Sequence, residues 1–264
     1  MADVRKPVFN LEKNGVHLAQ SYTPMELVGL SSDELGEGTT QHRHLLAKER
    51  GEVEWAPALA NPPPVLPDGA AWHQAQGRRL VMVTLEAEAV AALSHFFGTT
   101  PGVEVVKGSI LDQEGSVDAF VSPANSTGNM DGGIDLVYAN HFGWSVGRPY
   151  HSANPLQLAI DAHCGERPSG AQLPIGEALV VPVVPAKPAR TVKFLVATPT
   201  MRIPGQIEKR SRTVYTAALA AFRAWRASPS VRAVAMPLFG TGYGGVPVWV
   251  AVAQMWEAFV AAWT

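Results

Sequence analysis

Two glycine-rich segments, separated by more than a hundred positions, carry the residues best suited to chemistry in this sequence. The first, V-S-P-A-N-S-T-G-N-M-D-G-G-I-D, spans 121–135, and the second, P-L-F-G-T-G-Y-G-G-V-P, spans 237–247. Each follows an apolar run typical of a strand and precedes a pattern typical of a helix. At such a junction, unpaired backbone N–H groups and the positive end of a helix attract an anion. Together the two segments predict a binding site for a diphosphate.

Other interpretations of these glycines are less favoured. Gly240, Gly242 and Gly245 match G-x-G-x-x-G, but a Rossmann site also needs an acidic residue on a further strand about 20 residues on. Here only Glu257 follows, inside a predicted helix. Neither segment carries the G-K-[ST] of a Walker-type loop. Glycines can also serve only to form tight turns, but the presence of two such strand-to-helix junctions favours phosphate binding.

The elements that must position these segments alternate between strand and helix from residue 76 onward. The list of predicted strands is 79–85, 103–110, 117–124, 176–184, 192–200 and 231–239. The list of predicted helices is 86–97, a helix starting at Ile134, 151–165, one capped by Ser211 with Val214, Ala218, Phe222 and Trp225 on one face, and 248–263. This order predicts an α/β fold with a largely parallel sheet, helices on both faces and 176–184 and 192–200 as central strands. Ligands of such sheets bind at the carboxyl edge.

The first 75 residues differ from the rest and predict an N-terminal extension. They are polar and end in a Pro-rich linker, so we place a boundary near Gly69 and a single domain over 76–264. Short helices are possible at 24–35 and 41–50. His17, His42 and His44 lack a nearby pattern of carboxylates or cysteines, which favours solvated or packing roles over metal binding.

The composition of the chain limits the classes of partner that it is expected to bind. Charged residues make up 17% of the chain and the formal net charge is −2, so nucleic acid is not the default partner. The N-terminus lacks a signal-peptide pattern, and Gln254 and Glu257 interrupt the longest apolar stretch, so no membrane association is expected. The single cysteine, Cys164, favours a reducing compartment. We expect a cytoplasmic protein that requires neither metal nor cofactor.

The two segments resemble those of the macro domain, an ADP-ribose-binding α/β/α module. S-P-A-N at 122–125 and G-G-I-D at 132–135 are similar to the N-A-A-N and G-V-D of that family. The ten positions from Asn125 to Asp135 equal the interval in the hydrolytic, MacroD-type branch. The second segment is similar to P-x-[IL]-S-T-G-x-[FY]-G-Y-P and keeps its flanking prolines. The resemblance covers about 100–264 and implies a three-layer macro domain.

The resemblance also implies roles for individual residues. The backbone donors for the two phosphates would be Gly132, Gly133 and Ile134 for one, and Gly240, Thr241, Gly242 and Tyr243 for the other. Asn125 would hydrogen-bond hydroxyls of the distal ribose. Asp135 would hold or activate a water near the anomeric carbon, and a carboxylate at a helix N-terminus is expected to stay ionised.

Three positions depart from the family pattern. Ser109, followed by Ile110, stands where the family has an Asp that accepts from the adenine amino group, although Ser109 can still accept. Gly244 stands where an aromatic residue commonly covers the distal ribose, with Tyr243 one place earlier. Asp131 replaces a glycine and adds a carboxylate beside an anionic ligand. Arg202 could approach the site, although a surface position is commoner.

The resemblance implies binding of ADP-ribose or an ADP-ribosylated substrate and hydrolysis of an ADP-ribosyl linkage. Two alternatives remain at this point. One is a non-catalytic reader of ADP-ribose or another NAD-derived nucleotide, and the other is a macro-like protein with an assembly or interaction role. Asn125 and Asp135 favour hydrolysis, whereas Ser109 and Gly244 favour the alternatives.

Overall fold

The computed structural model describes seven ranges of the chain, namely 65–66, 70–74, 77–144, 154–165, 171–184, 191–208 and 211–264. Its helices are α1 Ala71–Gln74, α2 Ala87–Phe97, α3 Gly133–Phe142, α4 Pro155–Cys164, α5 Thr213–Arg226 and α6 Val248–Trp263, with a 3-10 helix at Ile110–Gln113. Its strands are β1 Arg79–Thr84, β2 Val103–Lys107, β3 Ala119–Ser122, β4 Leu179–Pro182, β5 Phe194–Ala197 and β6 Ala233–Met236. His17, His42, His44 and the possible helices at 24–35 and 41–50 lie outside the described residues.

The six strands form one sheet in the order β2-β1-β6-β3-β5-β4. All neighbouring pairs are parallel except β4 and β5, which are antiparallel. The predicted α/β class with a largely parallel central sheet is therefore confirmed.

Helices cover both faces of this sheet because successive strand side chains alternate between two apolar clusters. In β3, Val121 lies in the cluster formed with α2, α5 and α6, whereas Phe120 lies in the cluster formed with α3 and α4. Both faces of the central strands are therefore buried, which is why these strands are apolar without a polar alternation. The result is a three-layer α/β/α architecture.

The predicted central position of 176–184 is wrong. Its strand, β4, is at the edge of the sheet and runs antiparallel to β5. A parallel neighbour needs a crossover of a dozen or more residues, usually with a helix, and the 183–193 connection is shorter and contains Pro185 and Pro188. The chain therefore turns back beside β5.

The predicted cap of α5, Ser211, lies one position before the N-cap residue of the helix. Arg212, not Ser211, occupies the N-cap, and the Ser211 hydroxyl donates to Thr213 Oγ1 at 3.0 Å. The predicted apolar face of this helix is confirmed, because its four residues, Val214, Ala218, Phe222 and Trp225, are all buried.

The residues just before β1 pack on the domain. Leu66, Ala70 and Trp72 belong to the cluster formed with α2, α5 and α6. The Trp72 indole N–H also donates to Pro101 O at 2.7 Å. The boundary at residue 76 stays a prediction. Within the described ranges, no helix is long and apolar enough to cross a bilayer.

Candidate functional site

The two glycine-rich segments follow neighbouring strands. Strands β3 and β6 are parallel, with Ala119 opposite Val234 and Phe120 opposite Ala235. Loop 1, residues 123–132, and loop 2, residues 237–247, therefore leave the same carboxyl edge of the sheet side by side. Loops 1 and 2 must be neighbours in this way if both are to bind the same ligand.

The Asn125 side chain shapes loop 1 from inside. Its Oδ1 accepts from Thr127 N at 3.0 Å, Thr127 Oγ1 at 2.6 Å and Asn129 N at 3.3 Å, and its Nδ2 donates to Asn129 O at 3.0 Å. Asparagine favours such turns because its amide bonds the backbone two residues on. The structure thus gives Asn125 a role in the loop, and its contact with a ribose stays a prediction.

Helix α4 holds the middle of loop 1. The start of α4 is a capping box formed by Asn154 and Gln157. Asn154 Nδ2 donates to Gly128 O at 3.1 Å, and Gln157 Nε2 donates to Asn129 Oδ1 at 2.8 Å. Gly128 has φ +66°, and a Cβ there would lie 2.8 Å from Ile160 Cδ1, so glycine is favoured here by both its backbone conformation and the close approach of α4.

Loop 1 ends at the N-terminus of α3, where Gly132 is the N-cap residue. The first N–H groups of a helix have no partner inside it, so those of Gly133, Ile134 and Asp135 lie at this edge. Gly133 has φ +55°, and among the described residues no atom lies within 4 Å of the point that a Cβ would occupy. A ligand could therefore approach this backbone closely.

Asp135 lies in the first turn of α3 and is 7% exposed. Its Oδ1 accepts a hydrogen bond of 2.5 Å from the hydroxyl of Ser122, the last residue of β3. Burial raises the pKa of Asp135 to about 7, the Ser122 bond acts in the opposite direction, and the charge of Asp131 raises the pKa further. The helix N-terminus favours the ionised form, desolvation opposes it, and a pKa of about 7 leaves the Asp135 carboxyl partly ionised at neutral pH.

Buried aromatic side chains lie near Asp135. The Tyr138 ring stacks on Phe120 with centroids 5.3 Å apart, and its hydroxyl donates to Val121 O at 3.0 Å. Burial, followed by the charge of Asp135, raises the pKa of Tyr138 well above its usual range. The buried, neutral Tyr138 ring is therefore part of the surroundings of Asp135.

Loop 2 separates into a buried part and an exposed part. A Cβ at Gly244 would lie 2.5 Å from Gly240 O and 2.7 Å from Ile207 Cδ1. Gly240, at φ +73°, also contacts Ile207, whose N–H donates to Gly244 O at 2.9 Å. These two glycines pack beneath Ile207, which explains why no aromatic side chain fits at position 244.

The residues between these glycines face outward. Gly242 is exposed, and no described atom lies within 4 Å of its would-be Cβ. Thr241 is half-buried, and the Tyr243 side chain is 47% exposed. The backbone of 241–243, rather than that of Gly240 or Gly244, is therefore the accessible part of loop 2.

The residues after β2 have local roles in the structure. The Ser109 hydroxyl accepts from Leu111 N at 3.2 Å as the N-cap of the 3-10 helix, and the Ile110 side chain is buried in the cluster with α3 and α4. Arg202 is exposed, and its Nε donates to Gln172 Oε1 at 2.8 Å. In the described part of the chain, no three His, Cys, Asp or Glu side chains lie close enough to hold a metal ion.

Sequence reasoning did not single out Ser122 or Ile207. Ser122 is a fully buried hydroxyl at the end of an otherwise apolar strand, and a buried polar group requires a partner. That signal could have identified it. Ile207 contacts loop 2 from the segment after β5, and its residue type carries no such signal.

The fold and the site define a three-layer α/β protein with two glycine-rich loops at the carboxyl edge of its sheet. The chain is 31% identical over 157 residues to an uncharacterized protein of Aquifex aeolicus, covering 59% of this chain and 79% of that protein. It therefore belongs to the same family as the Aquifex protein. No protein-family model matches the chain.

Several solved structures similar to this chain are macrodomains. The macrodomain of Mycobacterium tuberculosis DarG is 22% identical with a TM-score of 0.42, covering 59% of this chain and 88% of that one. That of Thermus aquaticus DarG is 21% identical with a TM-score of 0.42, covering 58% and 87%. A mutant Oceanobacillus iheyensis macrodomain with ADPR is 15% identical with a TM-score of 0.43, covering 70% and 78%.

Proposed function

We propose that the chain is a macro domain that binds ADP-ribose or a related NAD-derived nucleotide and hydrolyses an ADP-ribosyl linkage. The observation that carries the proposal is the position of loops 1 and 2 after the neighbouring parallel strands β3 and β6. Each loop has one glycine, Gly133 or Gly242, whose would-be Cβ meets no described atom within 4 Å, and there a phosphate can approach the backbone. The macro-like motifs in both loops support the same ligand.

In this proposal, Asp135 acts as the general base. A water oxygen forms a bond to the anomeric carbon of the distal ribose while the bond from that carbon to the leaving group breaks with its electron pair. The ionised carboxylate takes the proton of the water, and the leaving group takes a proton from solvent. A base whose pKa is about 7 suits this step, because catalytic bases work best near the operating pH.

Calorimetry with ADP-ribose tests binding. The wild type should release measurable heat, and Gly133→Glu should abolish it, because the added carboxylate enters the space where a phosphate would lie. Gly165→Glu is the matched control, since Gly165 also has a positive φ, of +78°, and an open Cβ position among the described residues. Absence of heat at millimolar ligand, or equal loss in both variants, would contradict binding at loop 1.

Release of ADP-ribose from a mono-ADP-ribosylated protein tests hydrolysis. The wild type should release it, and Asp135→Ala should reduce the rate by about 100-fold or more, as expected when a general base is removed. Retained binding by Asp135→Ala in the calorimeter serves as the control for folding. Equal rates in the two proteins would exclude Asp135 as the base.

A non-catalytic reader is the second candidate. The observation that favours it is the Asn125 side chain, whose oxygen already accepts three hydrogen bonds within loop 1 and so has little capacity left to orient a ribose. Binding without any release of ADP-ribose from esters or other linkages would establish this alternative.

A further inference from the structure

Ser122 occupies an unusual place for a hydroxyl. Ser122 is the last residue of β3 and is 0% exposed. Its carbonyl oxygen accepts a hydrogen bond of 3.0 Å from Thr198 N, just after β5, and this bond holds the Ser122 backbone in place. Strand alternation places its side chain on the same face as Phe120, toward α3. A buried hydroxyl without a partner destabilises the fold, and Asp135 Oδ1 is the partner that Ser122 meets.

We propose that Ser122 is the positioning residue of Asp135: its hydroxyl donates to Oδ1, fixes the orientation of the carboxylate, and leaves Oδ2 as the oxygen that can accept from a water or ligand. As a role in catalysis, this inference rests on the proposed function. Among the described residues, no group hydrogen-bonds Oδ2. A single donor on one oxygen thus restrains the carboxylate without occupying the second acceptor.

The groups that face this carboxylate come from each element around it. Ser122 from β3 stabilises the ionised form through its hydrogen bond, and Asp131 from loop 1 opposes ionisation by like charge. Tyr138, one turn further along α3, is neutral and buried. Because burial and Asp131 both raise the pKa of Asp135, the Ser122 bond is the contribution that keeps the base ionisable near neutral pH.

The test is a titration of the Asp135 carboxyl carbon by NMR, with Asp135→Asn to identify its signal. The wild type should titrate near pH 7. Ser122→Ala should titrate at higher pH, and Ser122→Thr should restore the wild-type value because it restores the hydroxyl. Asp131→Asn is the control in the opposite direction and should lower the pKa of Asp135. If Ser122→Ala does not fold, Ser122→Cys, a much weaker donor of similar size, should show the same upward shift.

The pH profile of ADP-ribose release gives the second readout. A base must be ionised to act, so the rate should rise with pH through the pKa of Asp135, and this rise should move to higher pH in Ser122→Ala. An unchanged Asp135 titration in Ser122→Ala overturns the inference whether or not the wild type is active. A shifted titration without any turnover by the wild type contradicts the proposed hydrolysis, yet leaves the link between Ser122 and Asp135 established.

Discussion

Gly242 and Gly244 are two positions apart in loop 2 and have different surroundings. The would-be Cβ of Gly244 meets a backbone oxygen and the Ile207 side chain, whereas that of Gly242 meets no described atom within 4 Å. Gly244 therefore permits close packing inside the protein, whereas Gly242 lies on the exposed side of the loop. At the residue scale, the same amino acid serves packing at one position and, in the proposed function, ligand access at the other.

Alanine at these two positions should separate the two roles. Gly244→Ala should lower the free energy of unfolding by about 1–3 kcal/mol, because overpacking forces Ile207 or the loop to move. Gly242→Ala should change it by less than about 0.5 kcal/mol, as for an exposed substitution without new contacts. Urea unfolding of both variants measures the difference. Similar values for the two would show that Ile207 does not pack on the loop as described.

Helix α6 stabilises the start of α5 through one polar residue. The N-cap of α5 is Arg212, a residue type poorly suited to capping. From α6, Gln254 Oε1 accepts from Tyr215 N at 3.0 Å and its Nε2 donates to Ser211 O at 3.1 Å. At the element scale, the glutamine that interrupts the apolar pattern of α6 therefore supplies the cap that α5 lacks locally.

Replacing this glutamine should destabilise the protein more than removing a neighbouring charge. Gln254→Leu should lower the free energy of unfolding by about 1–2 kcal/mol, because an N-terminal N–H of α5 loses its acceptor. The matched control is Glu257→Gln, which breaks the exposed ion pair between Glu257 and Arg212 and should cost less than about 1 kcal/mol. Thermal or urea unfolding compares the two. A larger loss from Glu257→Gln would contradict the capping role of Gln254.

The N-terminal residues join the main core through Trp72. Its ring contacts Trp225, Phe259 and Trp263, with centroids 5.6, 5.1 and 4.9 Å away. These partners come from α5 and α6, so the aromatic cluster links the segment before β1 to the helix layer on one face of the sheet. At the scale of the whole molecule, this contact bears directly on the boundary predicted at residue 76.

Trp72→Ala tests that boundary. Loss of a buried tryptophan should lower the free energy of unfolding by about 3–5 kcal/mol, whereas Trp72→Phe keeps most of the packing and loses mainly the bond to Pro101 O. Unfolding by urea, followed by circular dichroism, measures both. A change below about 1 kcal/mol in Trp72→Ala would support a domain that begins after Trp72; the expected loss would place its start before this residue.

The amino-acid sequence by itself determined the order of strands and helices, the α/β class and the two glycine-rich junctions. These follow from local patterns, since the period of apolar residues and the positions of glycine act over a few neighbouring residues. The buried face of α5 was predictable for the same reason.

Only the tertiary structure decided which junctions meet and what surrounds them. The neighbouring positions of β3 and β6, the edge position of β4, the Ser122 bond to Asp135 and the packing of Ile207 on Gly244 join segments far apart in the chain. No local pattern encodes such pairings, because they depend on how strands order themselves in the sheet. The ionisation of Asp135 follows the same rule: its place on the helix favours the charged form, and the burial that only the fold decides raises its pKa to about 7.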